Sequence, residues 1–388
     1  MTSLDTGVKN VRNVGRFTIG DGSLSGVADL VSAQRTKDSP NTVYLIDEFF
    51  ENSNDVLNSL GMIAGDAKHF IKTAKEPTTQ GIDDLVVALQ SSGHKQPATI
   101  VGIGGGITLD TAKAVANLLT NGGKAADYQG WDLVRVPGVH KIGIPTISGT
   151  GAEATRTCVM TNLETGLKLG MNSDYTVFDH IILDPSLTRT VPRNQYFYTG
   201  MDAYIHCIEA LSGSYRNAIG DAYSRETVNL CRNIFLSSDM MADARRSDLM
   251  VASYLGGCAI ATSYVGIIHP FSAALSVVFG MHHCVANCVV LNAMSEFYPE
   301  AHSEFRKMIE LQKVELPRGV CANLTDDLRQ ALIAATIKHE KPLTNALGTE
   351  FRATLTDACV CERGSKLGTQ RIGKWLFVFD RCGNQGLA

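Results

Sequence analysis

A chain of 388 residues with 44% apolar and 19% charged residues has ordinary globular composition, and its length implies two domains. The net charge of −4 gives no electrostatic reason to expect nucleic acid or an anionic membrane as partner. No apolar run of signal-peptide type opens the sequence and none approaches 18 residues, so the expected location is cytoplasmic, without a membrane span.

Residues 41–47 (NTVYLID) predict a strand, 82–89 an amphipathic helix, 98–103 (ATIVGI) a buried strand and 109–119 a helix. A further strand is expected over 141–147, a small hairpin over 158–162 and 166–171, and a last short strand over 181–183. Strands alternating with helices argue for a parallel sheet with crossover helices. From about residue 196 the pattern turns to long helices rich in Ala, Leu and Met. The expected fold is therefore an α/β N-terminal domain (1–188) with a parallel, Rossmann-like sheet, followed by an all-helical metal-binding domain (189–361). Residues 362–388 lose helical periodicity and read as a non-native or irregular tail. The ten cysteines are scattered and fit reduced thiols. Cys284 and Cys288 have metal-compatible spacing but no companion pair, and Cys359 and Cys361 fall by the tail.

Asp202 and His206 stand four apart at the start of a helical pattern, so both face one side and can chelate one divalent cation. His269 and His283 follow downstream in apolar surroundings. Three imidazoles and one carboxylate suit a mid-row metal, Fe²⁺ or Zn²⁺, with room for a substrate oxygen, and leave a net positive Lewis-acid centre. Residues 102–113 (GIGGGITLDTAK) follow a strand and open a helix, where Gly104, Gly105 and Gly106 let backbone N–H groups approach a pyrophosphate. Ile107 breaks the G-x-G-x-x-G fingerprint. Asp47, ending the first strong strand, fits either a ribose diol or a local cap.

The segments GMDAYIHCIE, GIIHPFSA and HHCVANCVVL, with Asp202, His206, His269 and His283 at successive separations of 4, 63 and 14, make residues 10–355 resemble the iron-containing (group III) alcohol dehydrogenase family. The resemblance implies a dehydroquinate synthase-like architecture, Asp202, His206, His269 and His283 as metal ligands, and a possible homodimer. It also implies that NAD(P), if used, meets Asp110, Thr146, Ser148 and Thr150 besides the glycines, since PTISGTGAE resembles the family's nicotinamide-side loop. Two departures stand out. Ala273 replaces the family's second histidine, whose proton-handling role is left vacant, with His282 as a weak substitute, and HHC replaces its PHG.

YFYTGMDAYIHCIEALSGSYRN and HEKPLTNALG further resemble a branch of the family that acts on an acidic eight-carbon sugar. That branch oxidises the terminal C8 alcohol of 3-deoxy-D-manno-octulosonate to an aldehyde with O2, yielding H2O2, in the biosynthesis of an 8-amino sugar of lipopolysaccharide. An aminotransferase acts next. Such a substrate needs cationic contacts, for which Arg156 and Arg193 are the first candidates and Lys168 and Lys341 the next. The alternatives are an NAD(P)-dependent dehydrogenase or aldehyde reductase on another small substrate, and a non-catalytic, metal-stabilised sugar-binding protein.

Overall fold

The computed structural model describes residues 11–353. The tail after 362 and the Cys359–Cys361 pair lie outside them. The strands are β1 (Arg16–Ile19), β2 (Thr42–Asp47), β3 (Ala67–Ile71), β4 (Thr99–Gly104), β5 (Gly130–Trp131), β6 (Lys141–Pro145), β7 (Thr157–Asn162), β8 (Leu167–Asn172) and β9 (His180–Leu183). Six form one parallel sheet in the order β1-β9-β6-β4-β2-β3, and β5-β8-β7 form a second, small sheet containing the expected hairpin. The helices of this half are α1 (Val27–Ser32), α2 (Asn54–Ser59), α3 (Thr79–Ser91) and α4 (Gly106–Asn121). The rest is helical: α5 (Arg193–Ser212), α6 (Ala218–Phe235), α7 (Asp243–Ser263), α8 (Ile268–Phe279), α9 (His283–Ala293), α10 (Pro299–Gln312), α11 (Asp326–Thr336) and α12 (Glu340–Leu347).

The central strands β2, β4 and β6 are buried almost throughout, as a parallel sheet covered on both faces requires, and their apolar runs announce them. The sequence reading missed β1 and β3. Both are edge strands: all four residues of β1 are exposed, and β3 (AKHFI) is only partly buried, so neither needs an apolar run. The largest core cluster draws only on residues between Tyr196 and Phe351, so the helical half has its own interior. Among the described residues no single helix is long and apolar enough to cross a membrane.

The two halves lock together at the loop after β6. Gly149 has φ 143°, and a Cβ there would lie 1.7 Å from the Thr199 carbonyl oxygen of α5. Ser253 of α7 accepts from the Gly151 N–H at 3.2 Å and donates to Glu153 at 2.7 Å. Gly149→Ala is therefore expected to cost about 3 kcal/mol or more, the upper end of overpacking penalties. Gly26→Ala, with nothing within 4 Å of its added methyl, should stay within about 1 kcal/mol of wild type. Denaturant melts of the two variants check the contrast, and equal midpoints would refute it.

Candidate metal centre

Three helices aim their side chains at one point. On α5, Asp202, His206 and Glu209 fall at i, i+4 and i+7, hence on one face. His269 lies in the first turn of α8, and His283 opens α9 with Asn287 one turn on. Asp202 Oδ1 is 3.6 Å from His206 Nε2 and 3.4 Å from His269 Nε2, and Oδ2 is 3.8 Å from His283 Nε2. The ligand atoms of Asp202, His269 and His283 all lie within 4.8 Å of one another. The His206 and His269 rings stack with centroids 4.7 Å apart. Four donors about 2.1 Å from a tetrahedral cation stand about 3.4 Å from each other. Asp202, His269 and His283 thus have the separations and the donor set for one divalent metal, and His206, the fourth residue singled out in the sequence, adjoins them through Asp202 and the His269 ring.

Burial pushes His206 down to about 4 and His283 down to about 3, so both are neutral near pH 7 with lone pairs to give. Asp202 is fully buried, which opposes its charge, yet His206, His283 and His269 hold it well below the usual carboxylate range. For His269 burial also opposes the charge, but Glu209 and Asp202 outweigh it and raise the imidazole to about 9. Glu209 accepts from the Ile268 N–H and pairs with His269 Nδ1, which leaves Nε2 for the metal. Asn287 donates to Asp202 Oδ1 at 2.6 Å, and the Cys284 thiol donates to Oδ2 at 3.8 Å. The sequence reading gave Glu209 and Asn287 no role. The signal was present: each follows a ligand histidine by three or four helical positions. Among the described residues Cys284 and Cys288 belong to no second metal cluster, since Cys284 donates to Asp202, and every described cysteine is buried.

The cluster lines one end of a cavity of about 750 Å³. Asp47, Gly105, Gly106, Thr146 and Thr150 line the same cavity, and Gly105 and Gly106 bring the N-terminus of α4 to its wall. Gly104 and Ser148 do not line it. A Cβ on Gly104 would meet Asp47 Cβ at 2.9 Å, so that glycine serves strand–helix packing, and Ser148 is buried behind the wall. Asp47 accepts from the Phe49 N–H at 3.0 Å, a local cap, while also facing the cavity. Asp110 lines the cavity but accepts from the Val159 N–H at 2.9 Å, tying α4 to β7. Ala273 lines the wall, and His282, exposed just before α9, stands at the cavity's edge.

The expected substrate cations need correction. Arg193 does not line the cavity: its guanidinium donates to the Gln312 carbonyl at 2.6 Å and to Gln312 Oε1 at 2.9 Å, clamping α5 to the end of α10. Arg193→Ala should therefore cost about 1–3 kcal/mol of stability by taking the donor from the Gln312 carbonyl and from its Oε1. KM should stay at its wild-type value; a raised KM with an unchanged melting temperature would contradict this. Arg156 does line the cavity, but Asp132 (2.5 Å) and Asp174 (3.1 Å) already neutralise it. Lys168 pairs with Glu76 at 3.0 Å, and Lys341 Nζ lies 3.4 Å over the Trp131 ring.

Residues 15–185 match the family model for iron-containing alcohol dehydrogenase, and residues 196–357 match that for the C-terminal part of the Fe-containing alcohol dehydrogenase family. NAD-dependent methanol dehydrogenase of Bacillus methanolicus is 31% identical over 263 residues, 67% of this chain and 68% of that protein. The chain belongs to the iron-containing alcohol dehydrogenase family. Sulfoacetaldehyde reductase of Bilophila wadsworthia (strain 3_1_6) is 36% identical over 223 residues, so the match spans only 56% of that relative's length. In fold, the chain superposes on the sulfoacetaldehyde reductase of Bifidobacterium kashiwanohense solved in complex with NAD+. The TM-score is 0.73 at 19% identity, covering 90% of this chain and 98% of that one.

Proposed function

We propose that the chain interconverts an alcohol and its carbonyl compound at one divalent metal held by Asp202, His206, His269 and His283. The observation that carries this is the position of the four side chains: they line a cavity of about 750 Å³ instead of enclosing their centre, as a metal-stabilised scaffold would. A bound divalent cation supplies Lewis acidity there, drawing the pKa of an alcohol hydroxyl toward neutrality. The chain's own residues supply position and charge. Glu209 fixes the His269 ring, Asn287 fixes Asp202, and Ala273 stands on the cavity wall in place of the family's second histidine.

The finer reading is oxidation of the terminal C8 alcohol of 3-deoxy-D-manno-octulosonate with O2, giving the 8-aldehyde and H2O2, an aldehyde that an aminotransferase can then take. The sequence resemblance around α5 and α12 supports it, as does the vacancy at Ala273. Lys338 and Lys341 on the cavity wall suit an acidic substrate. A second reading has its own observation. The cavity runs unbroken from the N-terminus of α4 to the metal ligands, a path that suits NAD(P) with its pyrophosphate at the helix end. NAD+ would then take the hydride, giving NADH and a proton.

An oxygen electrode with peroxide detection, run on metal-loaded protein and the acidic sugar with and without NAD+, separates the two. Metal-dependent oxygen uptake that ignores NAD+ supports the oxidase. NADH formation without oxygen uptake supports the dehydrogenase. Metal-loaded protein inert toward the sugar and toward short alcohols with either acceptor would sink both.

A further inference from the structure

A second cavity, of about 340 Å³, shares no lining residue with the first. Gly105 and Thr146 of the first follow the C-terminal ends of β4 and β6, whereas the second sits at the N-terminal ends of β1, β6 and β9. Arg16, His140 and His180 line it, with Leu30, Ala33 and Gln34 from the end of α1 and beyond. The strand register explains why the three basic side chains meet. Arg16 pairs with His180, and His180 pairs with Ile142, two positions after His140. Side chains two apart on a strand share a face, so Arg16, His180 and His140 stand in a row on the face that α1 covers. The residues beside them point the other way. The Phe17 ring packs on Tyr254 of α7 with centroids 5.5 Å apart, and Asp179 pairs with Lys141.

Each histidine is held by one nitrogen. His180 Nε2 lies 3.0 Å from Thr18 Oγ1, and His140 Nδ1 lies 2.8 Å from Thr99 Oγ1. The Thr99 hydroxyl already donates to the His140 carbonyl at 3.0 Å, so it accepts from Nδ1 and leaves Nε2 as the open nitrogen. His180 is 6% exposed, yet among the described residues its Nδ1 has no partner, nor have His140 Nε2, the Arg16 guanidinium or the Gln34 amide. The carboxylate on the wall, Asp179, is already taken. It accepts from Arg12 at 2.6 Å and from the Lys141 N–H at 2.9 Å, with Lys141 Nζ 3.7 Å away. Burial lowers both histidines; Arg16 and His140 add to this at His180, while at His140 Asp179 opposes it and Lys141 adds to it. The α1 residues on the wall carry no titratable group.

The chemistry of the occupant follows from these groups. A cation would meet Arg16 beside the two imidazoles, and a neutral ligand would leave the guanidinium charge unanswered. An oxyanion accepts from the guanidinium, from the amide and from both imidazoles once they are protonated. We infer that this cavity binds a tetrahedral oxyanion, phosphate or sulfate, free or as the end of a small monoester, between Arg16, His140 and His180. The space would hold on the order of ten waters at about 30 Å³ each, so the ion leaves room for a short organic arm. The site is separate from the metal centre, and the inference does not depend on the alcohol chemistry.

The test is calorimetry with sodium sulfate on the full-length, zinc-loaded protein at low ionic strength, since sulfate keeps its charge across the pH range. Two or three charge-assisted hydrogen bonds give an expected dissociation constant of about 1 mM or below at pH 6. The anion favours the protonated imidazoles, so binding takes up protons. Affinity should be greatest at acid pH and fall about tenfold or more between pH 6.5 and 7.5. Arg16→Ala, which removes no hydrogen bond among the described residues, should weaken binding about tenfold or more. His180→Gln should flatten the pH response. In imidazole NMR spectra the His140 and His180 signals should move with sulfate while those of His206, His269 and His283 stay. Titrations with inorganic phosphate and glycerol 3-phosphate separate the sources: tighter binding of the monoester makes an organic phosphate the ligand, and equal binding makes it the free ion. No saturable sulfate binding at pH 6 would overturn the inference. So would binding that Arg16→Ala leaves unchanged, because the ion would then sit elsewhere on the chain.

Discussion

Replacing His269 with alanine is expected to leave the protein with less than a tenth of the metal that wild type retains, and to cut kcat/KM by about 10³-fold or more. At 1.36 kcal/mol per factor of ten, that is about 4 kcal/mol of lost transition-state stabilisation. The expectation has two physical parts. One of four donors disappears from a centre whose remaining three cannot close around the cation. In addition Glu209, which pairs with His269 Nδ1, keeps a buried carboxylate that has lost its imidazole, and an unpaired buried group costs about 1–3 kcal/mol. Elemental analysis after dialysis reads the first part and a thermal melt reads the second. Arg193→Ala is the control, because Arg193 holds Gln312 and stands outside the cavity. Wild-type metal content in the His269→Ala protein would remove His269 from the ligand set.

The parts of this architecture that the sequence exposed are those where one physical demand dominates a short stretch. β2, β4 and β6 are buried on both faces, so their residues had to be apolar, and the runs could be read. The chelating pair on α5 was legible because helical geometry alone puts Asp202 and His206 on one face. The convergence of α5, α8 and α9 is a tertiary fact, and only the family's spacing pointed to it. What stayed hidden were residues whose role depends on a partner far along the chain. Arg193 looks like a free cation at a domain junction, and nothing local to it signals Gln312, 119 positions away. Arg156 owes its neutralisation to Asp132 and Asp174, which sit on separate loops. Glu76 and Lys168 are 92 positions apart and read singly as solvated charges. Gly104 belongs to a glycine run whose neighbours do line the cavity, and only the close approach of Asp47 shows that its job is packing.

Glu209→Gln should weaken metal binding by about 10–100-fold, the range found when a group that orients a metal-bound histidine is altered, while the fold survives. The fold survives because the glutamine oxygen can still accept from the Ile268 N–H. The histidine suffers because the amide then turns its NH2 toward His269 Nδ1. That nitrogen must accept, so the neutral ring carries its proton on Nε2, the atom facing the metal. The same substitution changes the pH response, and the sign follows from the raised pKa of His269. In the metal-free wild type His269 titrates at about 9, so below that pH the cation must displace a proton. Apparent affinity should then rise about tenfold per pH unit toward 9 and level off above it. Without the carboxylate charge the imidazole gives up its proton at lower pH, so the variant levels off earlier and its affinity changes less between pH 7 and 9. Stability of the metal-free protein carries the complementary sign. A raised folded-state pKa gives His269 a stabilising contribution that is complete below about 6.5 and lost as pH rises through about 9. Wild type and Glu209→Gln should differ most in melting temperature at the acid end of that window and converge above it. Competition titrations with a chelator across pH 6–10, paired with melts of the metal-free proteins, read both signs. Parallel affinity curves for the two proteins would mean that the charge of Glu209 does not govern the His269 proton.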